Sequence, residues 1–379
     1  MLGLRPTVAG PAGLEDSALT ALGATRAMDT ILERVLDVRL RQAREADPLF
    51  ARELADRVAA FVLRGGKRLR TAFAWCGWRA AGGSGNAAAL LHTGAALELL
   101  QACALMHDDV MDGSLLRRGA PAMHVEMARR HRAARMAGSA ETFGTSAAVL
   151  AGDLVLAWAD DLLTETALGS PQGSRLYGEW RAMRTEMVAG QYRDLHAQAS
   201  GSSGVDEALT TAILKSALYT VARPMALGAS LTGADEATLS ALRAAGRCAG
   251  LAFQLRDDLL GAFGDPALTG KPAGDDLHSR KLTYLLAVGL RLADATGAQD
   301  AAALAPGGDT RSERTVERMR TALERTGARA EVEKKIAELV TSSLRHFEVA
   351  GAEPAVRREF AALVERAAGV APQRAGELV

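Results

Sequence analysis

Residues 86–107, "NAAALLHTGAALELLQACALMH", are apolar on nearly every side of a helix and lead directly into Asp108, Asp109 and Asp112. A helix with no polar face belongs in the middle of a fold. Unpaired charge at the mouth of such a helix is costly. The chain must therefore wrap other elements around this stretch and give its acids something to hold. A second stretch, "LRAAGRCAGLAFQLRDDLLGAFG", repeats the design and carries Asp257 and Asp258 near its end.

The rest of the chain suits the wrapping role. "ALTALGATRAMDTILERVLDVRLRQA" and "EVEKKIAELVTSSLRHFEVA" place apolar residues at helical spacing with charges opposite. Aromatic residues are only 4% of the chain, so its composition favours helix over strand. No strand alternation and no fixed-period repeat is visible. Gly- and Ser-rich breakers at 80–86, 136–146, 168–174, 199–206 and 304–313 divide helix-sized pieces, and none has the length or bias of an interdomain linker. The expectation is an all-α fold: residues 1–25 a loose N-terminal segment and 26–379 one helical domain.

The formal net charge is zero, which removes any general attraction to nucleic acid or an anionic membrane. Cys76, Cys103 and Cys248 are scattered and fit buried thiols in a reducing compartment better than a disulfide framework or zinc site. The opening residues lack the basic and long apolar regions of a secretory signal. No uninterrupted apolar run approaches the roughly 18 residues of a membrane span. A cytoplasmic protein without a transmembrane segment is expected.

Asp108 and Asp112 lie four apart, so a helix projects both from one face, with Asp109 about 100° round as a supporting group. Such carboxylates suit hard cations, and magnesium commonly completes its octahedron with water and substrate phosphates. Alone, one acidic pattern is ordinarily a solvated helix end. Two of them on apolar helices point instead to a shared cavity for divalent ions, with a diphosphate as the bridging ligand. Basic residues supply the complement. "LRGGKRLRT" offers Gly65 and Gly66 for close backbone approach, then Lys67, Arg68 and Arg70. Arg117 and Arg118 add forked donors, and Lys215, Ser216, Lys271 and Lys281 add more. Singly each is an exposed surface residue; together they neutralise phosphate.

The stretches "GGKRLR", "LLQACALMHDDVMDGSLLRRGAPAMH", "AGDLVLAWA", "TEMVAGQYRDL", "KSALYTVARP", "FQLRDDLLGAFGD" and "TGKPAGDD" carry a resemblance. Over roughly residues 25 to 350 the chain resembles the trans-isoprenyl diphosphate synthases, or polyprenyl synthetases, and most of all the actinobacterial geranylgeranyl type. The resemblance implies a bundle of long helices around a deep central cavity, a homodimer and three magnesium ions. It implies that Asp108, Asp112 and Asp257 hold the metals, with Asp109 and Asp258 in support. Lys215 and Lys271 share the catalytic work, and Arg117, Ser216, Gln254 and Lys281 join them around an allylic diphosphate. Isopentenyl diphosphate falls, without metal, to Gly66, Lys67, Arg70, Gln101 and Arg118. The implied reaction ionises the allylic diphosphate, joins the cation to the isopentenyl double bond and loses a proton, with no side-chain nucleophile. His107 is then a positioning or core residue.

Three departures from the family pattern stand out. Gly261 replaces a frequent third aspartate, "DDLHSRK" replaces a frequent "DLREGK", and Thr71 replaces a proline. Product length should depend on the helix beneath Asp108. Cys103 and Ala104 are small there, and Leu100 with Leu97 lies a turn lower. A twenty-carbon product, geranylgeranyl diphosphate, is the expectation, with twenty-five carbons or more as its rival. A terpene cyclase needs no second diphosphate site, and a non-catalytic partner subunit would not need both acid pairs.

Overall fold

The computed structural model describes residues 20–264, 274–296, 298–305 and 312–370. Among these the chain is helical almost throughout. Helix α1 (Ala21–Ala46) begins where the Thr20 hydroxyl accepts the Gly23 N–H, so ordered helix starts inside the segment expected to be loose. Asp47 ends it and caps the next turn, its Oδ1 2.6 Å from Phe50 N with Pro48 at the start. That turn, α2 (Pro48–Phe50), passes through a π-helical stretch into α3 (Asp56–Leu63).

After α4 (Leu69–Ala80) comes α5 (Ala88–Met111), the apolar helix of the opening stretch. Leu97, Leu99, Leu100 and Met106 are fully buried along it. It lies centrally, with α1, α4 and α7 (Ala140–Leu168) against it. Between α5 and α6 (Met123–Ala133) sits a small hairpin, β1 (Leu116–Arg117) paired with β2 (Ala120–Pro121). Arg118 and Gly119 both take positive φ there, 53° and 74°, the backbone that two-residue hairpin turns require. The sequence reading contains no strand at this point, because two-residue strands are too short to alternate. Gly144 is not the breaker expected from its neighbours: it lies inside α7, where a Cβ would stand 2.3 Å from the His124 carbonyl of α6.

Helices α8 (Gly173–Ser200), α9 (Val205–Ala212), α10 (Arg223–Ser230) and α11 (Glu236–Phe263) complete the inner ring. The Asp235 carboxylate caps α11 by accepting the Thr238 N–H at 2.8 Å. Short α12 (Asp275–His278) and α13 (Tyr284–Thr296) follow, then α14 (Ala298–Leu304), α15 (Glu313–Arg325), α16 (Ala328–Val349) and α17 (Pro354–Ala368) on the outside of α11. One continuous apolar core runs from Ala21 to Ala368.

Residues Ile213–Ala222, between α9 and α10, form a π-helix of ten residues. Long π runs are rare and gather at functional sites. This one is held because its neighbours are glycines. A Cβ at Gly190 of α8 would stand 2.3 Å from Lys215 N, and one at Gly250 of α11 would stand 2.4 Å from the Ala217 carbonyl. The widened backbone thus slots between two helices that carry no side chain at the contact.

Two of the described helices, α5 and α7, are long and apolar enough by composition to cross a membrane. A windowed average tolerates the few charges that interrupt an apolar run, which is why the sequence reading does not single them out. For α5, 72% of the apolar window is buried inside the protein, as a central helix requires; for α7 the share is 44%.

Candidate active site

The end of α5 divides its three acids. Asp108 and Asp112 face α8, the π-helix and the segment after α12. Lys215 Nζ stands 3.0 Å from Asp108 Oδ1 and 2.5 Å from Asp194 Oδ2. Lys281 Nζ is 3.2 Å from Asp112 Oδ2 and 3.2 Å from Asp194 Oδ2. Gln191 Nε2 also donates to Asp108, at 3.2 Å. Burial works against ionisation of Asp108, yet Lys215, Lys281 and Arg117 outweigh it and hold its carboxyl below the usual range. Asp194 behaves alike, with burial overcome by Lys281 and Lys215. The lysines are clasped by three acids, two from the end of α5 and one from α8.

Asp109 turns inward. It is fully buried and accepts from Arg117 Nε at 2.8 Å, while Arg117 Nη2 also reaches toward Asp108 at 3.5 Å. Burial, not fully offset by Arg117, raises its carboxyl above the ordinary value. Asp109 and Arg117 therefore brace the hairpin against α5. The sequence reading has Arg117 reaching substrate, whereas its guanidinium is engaged with these two acids.

The second cluster sits on α11. Asp258 is buried and its Oδ1 accepts from Gln254 Nε2 at 2.7 Å, one turn earlier. Burial, with the nearby charges of Asp276 and Asp257, pushes its carboxyl up to about 8. The Gly261 departure has a structural counterpart. A Cβ at Gly261 would lie 2.3 Å from Asp276 Oδ2, so a carboxylate from α12 occupies the space above the missing third aspartate.

Basic residues converge about two turns earlier along α5, around Gln101. Gly66 leaves room for Arg118, whose Nη2 would lie 2.8 Å from a Cβ placed there. Arg70 Cζ stands 4.2 Å from the centre of the Tyr219 ring, and its Nη2 donates to Thr220 Oγ1 at 3.2 Å. Tyr219 Oη donates to Gln101 Oε1 at 2.9 Å. A small pocket is lined by Arg68, Glu98, Gln101 and Arg118, with Phe61, Val62 and Ala102. Burial lowers the Arg118 guanidinium, and Arg68, Arg117 and Arg70 add to the effect against Glu98. Positive charge accumulated this way calls for an anion. Arg68 differs from its neighbours: it pairs inward with Glu98 at 2.6 Å and Asp29 at 2.9 Å, fixing the turn to α5 and α1. Lys67 is exposed at the same turn, and Ser216 is half-buried beside Lys215.

Below the acids, Ala104 lies one helical turn under Asp108 and Cys103 one turn under His107. Cys103 Sγ is 3.8 Å from His107 Nδ1, and His107 Nε2 is 3.2 Å from the Val149 carbonyl of α7. Gly152 provides the notch, since a Cβ there would fall 2.0 Å from His107 Nε2. Burial pushes the Cys103 thiol up to about 12, leaving it a neutral packing group. Leu100 is fully buried beneath. Lys271 lies outside the described residues.

Three residues of this site are absent from the sequence reading: Asp194, Gln191 and Tyr219. A signal for the first two exists, since Gln191 and Asp194 follow a mid-helix glycine at a spacing that puts both on one face. Tyr219 carries no such signal, because its neighbours depend on a π-helix.

Comparison with known proteins gives the arrangement its context. The family model described as polyprenyl synthetase matches residues 52–323. The geranylgeranyl diphosphate synthase of Mycobacterium tuberculosis is 36% identical over 219 residues, 58% of this chain and 57% of that protein. The (2E,6E)-farnesyl diphosphate synthase of the same organism is 36% identical over 249 residues, 62% of this chain and 63% of that protein. The match thus spans less than two thirds of these curated relatives. A solved structure of geranylgeranyl pyrophosphate synthase from Corynebacterium glutamicum, complexed with isoprenyl diphosphate and magnesium, superposes with a TM-score of 0.87 at 38% identity. That comparison covers 92% of this chain and 99% of the other. With the family model spanning most of the chain, and acids and bases gathered as its motifs require, the chain belongs to the polyprenyl synthetase family.

Proposed function

We propose that this chain is a trans-prenyltransferase, working as one helical unit, that condenses isopentenyl diphosphate with an allylic diphosphate. The observation that carries the reading is the separation of charge along α5. Acids of α5 and α8 gather at its C-terminal end, and two turns earlier Gln101 and Arg118 line a small pocket, with Gly66 against Arg118 and Arg70 over the Tyr219 ring that holds Gln101. One substrate diphosphate then belongs with metal and the other with side chains alone.

The residues fit magnesium. Burial and two neighbouring acids push the Asp258 carboxyl up to about 8, and a divalent cation would favour its ionised form. Among the described residues no three His, Cys, Asp or Glu side chains stand close enough to enclose an ion by themselves. Coordination completed by water and diphosphate oxygens, which magnesium favours, meets that limit. Asp108, Asp112 and Asp257 would hold such ions, three in all, with Asp109 and Asp258 in support. When bound, the ions supply stabilisation of the negative charge that develops on a departing diphosphate. Lys215 and Lys281 turn from the acids to the allylic diphosphate and, with Lys271, Ser216 and Gln254, keep it in line. Arg118, Arg70, Lys67, the Gly66 backbone and Gln101 hold isopentenyl diphosphate. The allylic C–O bond breaks, the isopentenyl double bond forms the new C–C bond, and a proton passes to the released diphosphate. Preorganised cations around the leaving group account for the acceleration.

Small Ala104 directly under Asp108, with Cys103 beside it and Leu100 a turn lower, favours a twenty-carbon product. Exposed Phe143, Val149 and Leu150 on α7 suit a second copy of the chain, as a homodimer in the cytoplasm. The test is incubation with magnesium, labelled isopentenyl diphosphate and each allylic starter, with products sized by chromatography. Geranylgeranyl diphosphate is expected. No prenyl product from any starter would sink the reading, and a fifteen-carbon end point would sink the product assignment.

A further inference from the structure

We propose that Tyr219 is a positioning residue for isopentenyl diphosphate, acting through Gln101 and Arg70; the inference rests on the prenyltransferase reading above. Tyr219 is buried, at 3% exposure, where a phenylalanine would fill the same volume. Its hydroxyl is a polar atom that the interior must satisfy, and Gln101 Oε1, 2.9 Å away, is what satisfies it. A carboxamide has one acceptor end and one donor end. With Oε1 occupied by the phenol, Gln101 presents its two N–H donors elsewhere, and the side chain lines the pocket that Arg118 also lines.

The same ring orders Arg70. Its guanidinium lies over the Tyr219 face at 4.2 Å and donates one N–H to Thr220 Oγ1 at 3.2 Å. Arg70 Nε is buried with no hydrogen-bond partner among the described residues, so a donor is held in place without an acceptor. Tyr219 therefore fixes one neutral and one charged donor at once. It does so from the π-helix, four residues beyond Lys215, which meets Asp108. Lys215 and Tyr219 stand about one turn apart on one face of this segment, and their partners Asp108 and Gln101 stand seven residues apart on one face of α5, so a short segment serves both the acidic end and the cationic pocket two turns earlier.

The test is Tyr219→Phe, assayed for both substrates, together with calorimetric binding of isopentenyl diphosphate alone in EDTA. Removing the hydroxyl should raise KM and Kd for isopentenyl diphosphate about tenfold, the scale of one hydrogen bond serving a charged ligand. KM for the allylic diphosphate should stay within about twofold. The double variant with Gln101→Ala should bind no worse than Gln101→Ala alone, since Tyr219 acts through that amide. A rise in both KM values together, no change in either, or additive losses in the double variant would overturn the proposal. If the wild-type protein binds isopentenyl diphosphate in EDTA but forms no product, the prenyltransferase reading falls and the binding comparison still decides the role of Tyr219. If it does not bind, the inference falls too.

Discussion

Asp108 and Asp112 on α5 and Asp257 and Asp258 on α11 look alike in the sequence, each an acidic pattern at the end of an apolar helix. The fold gives the two places different charge states. Around the first, Lys215 and Lys281 come from distant segments and share Asp194, so the carboxyl of Asp108 stays low despite burial. Around the second, burial and the approach of Asp276 over Gly261 raise Asp258 to about 8. At the first cluster lysines hold Asp108 ionised; at the second, burial holds Asp258 toward its neutral form. Metal held at the first would leave Lys215 and Lys281 to turn toward substrate, and metal held at the second would favour the ionised form of Asp258.

Asp194→Asn attacks the compensated side at its buried centre. It should lower unfolding free energy by about 3 kcal/mol, the scale of breaking a buried ion pair, measured by urea titration at unchanged m value. A loss under about 1 kcal/mol would show that Asp108 and Asp112 satisfy both lysines without it.

Gly261→Asp, which restores the acid common in the family, tests the second side. Its Cβ must push Asp276 aside and bring another carboxylate against Asp258. A destabilisation of about 2 kcal/mol is expected, combining overpacking with like-charge repulsion. A variant as stable as the parent would mean that α12 shifts freely.

The opposite sign should come from Asp258→Asn, which replaces a carboxyl already reluctant to ionise with a neutral group of the same shape. Stability of the metal-free protein should rise at neutral pH, and the gain should fade below about pH 4, where the unfolded carboxyl is protonated as well. A thermal melt showing a loss as large as that of Asp194→Asn would erase the contrast between the clusters.

Much of this site was legible. Gly66, Arg70, Gln101 and Arg118 do gather, and the acids of α5 and α11 lie at helix ends as their apolar lead-ins require. What was not legible depends on one helix meeting another. Arg68 reads as a phosphate ligand in "GGKRLR" until Glu98 and Asp29 claim it. Arg117 gains a partner that the sequence does not show, buried Asp109. Gly261 reads only as a departure from the family pattern until Asp276 is seen above it. Each reassignment comes from a partner far along the chain, and no local pattern encodes such a partner.

Determined by the sequence alone were the helical class, the central place of residues 88–111 and the presence of paired acids with clustered bases. These follow from periodicity, propensity and the cost of burying charge, all of which act locally. Only the tertiary structure decided which acids are neutralised, because that depends on Lys215 and Lys281 arriving from elsewhere. It also decided the π-helix of Ile213–Ala222, since a widened backbone is stable only where Gly190 and Gly250 leave room for it. That stretch carries both Lys215 and Tyr219, so packing between three helices, and not any single motif, sets the spacing between the two sides of the site.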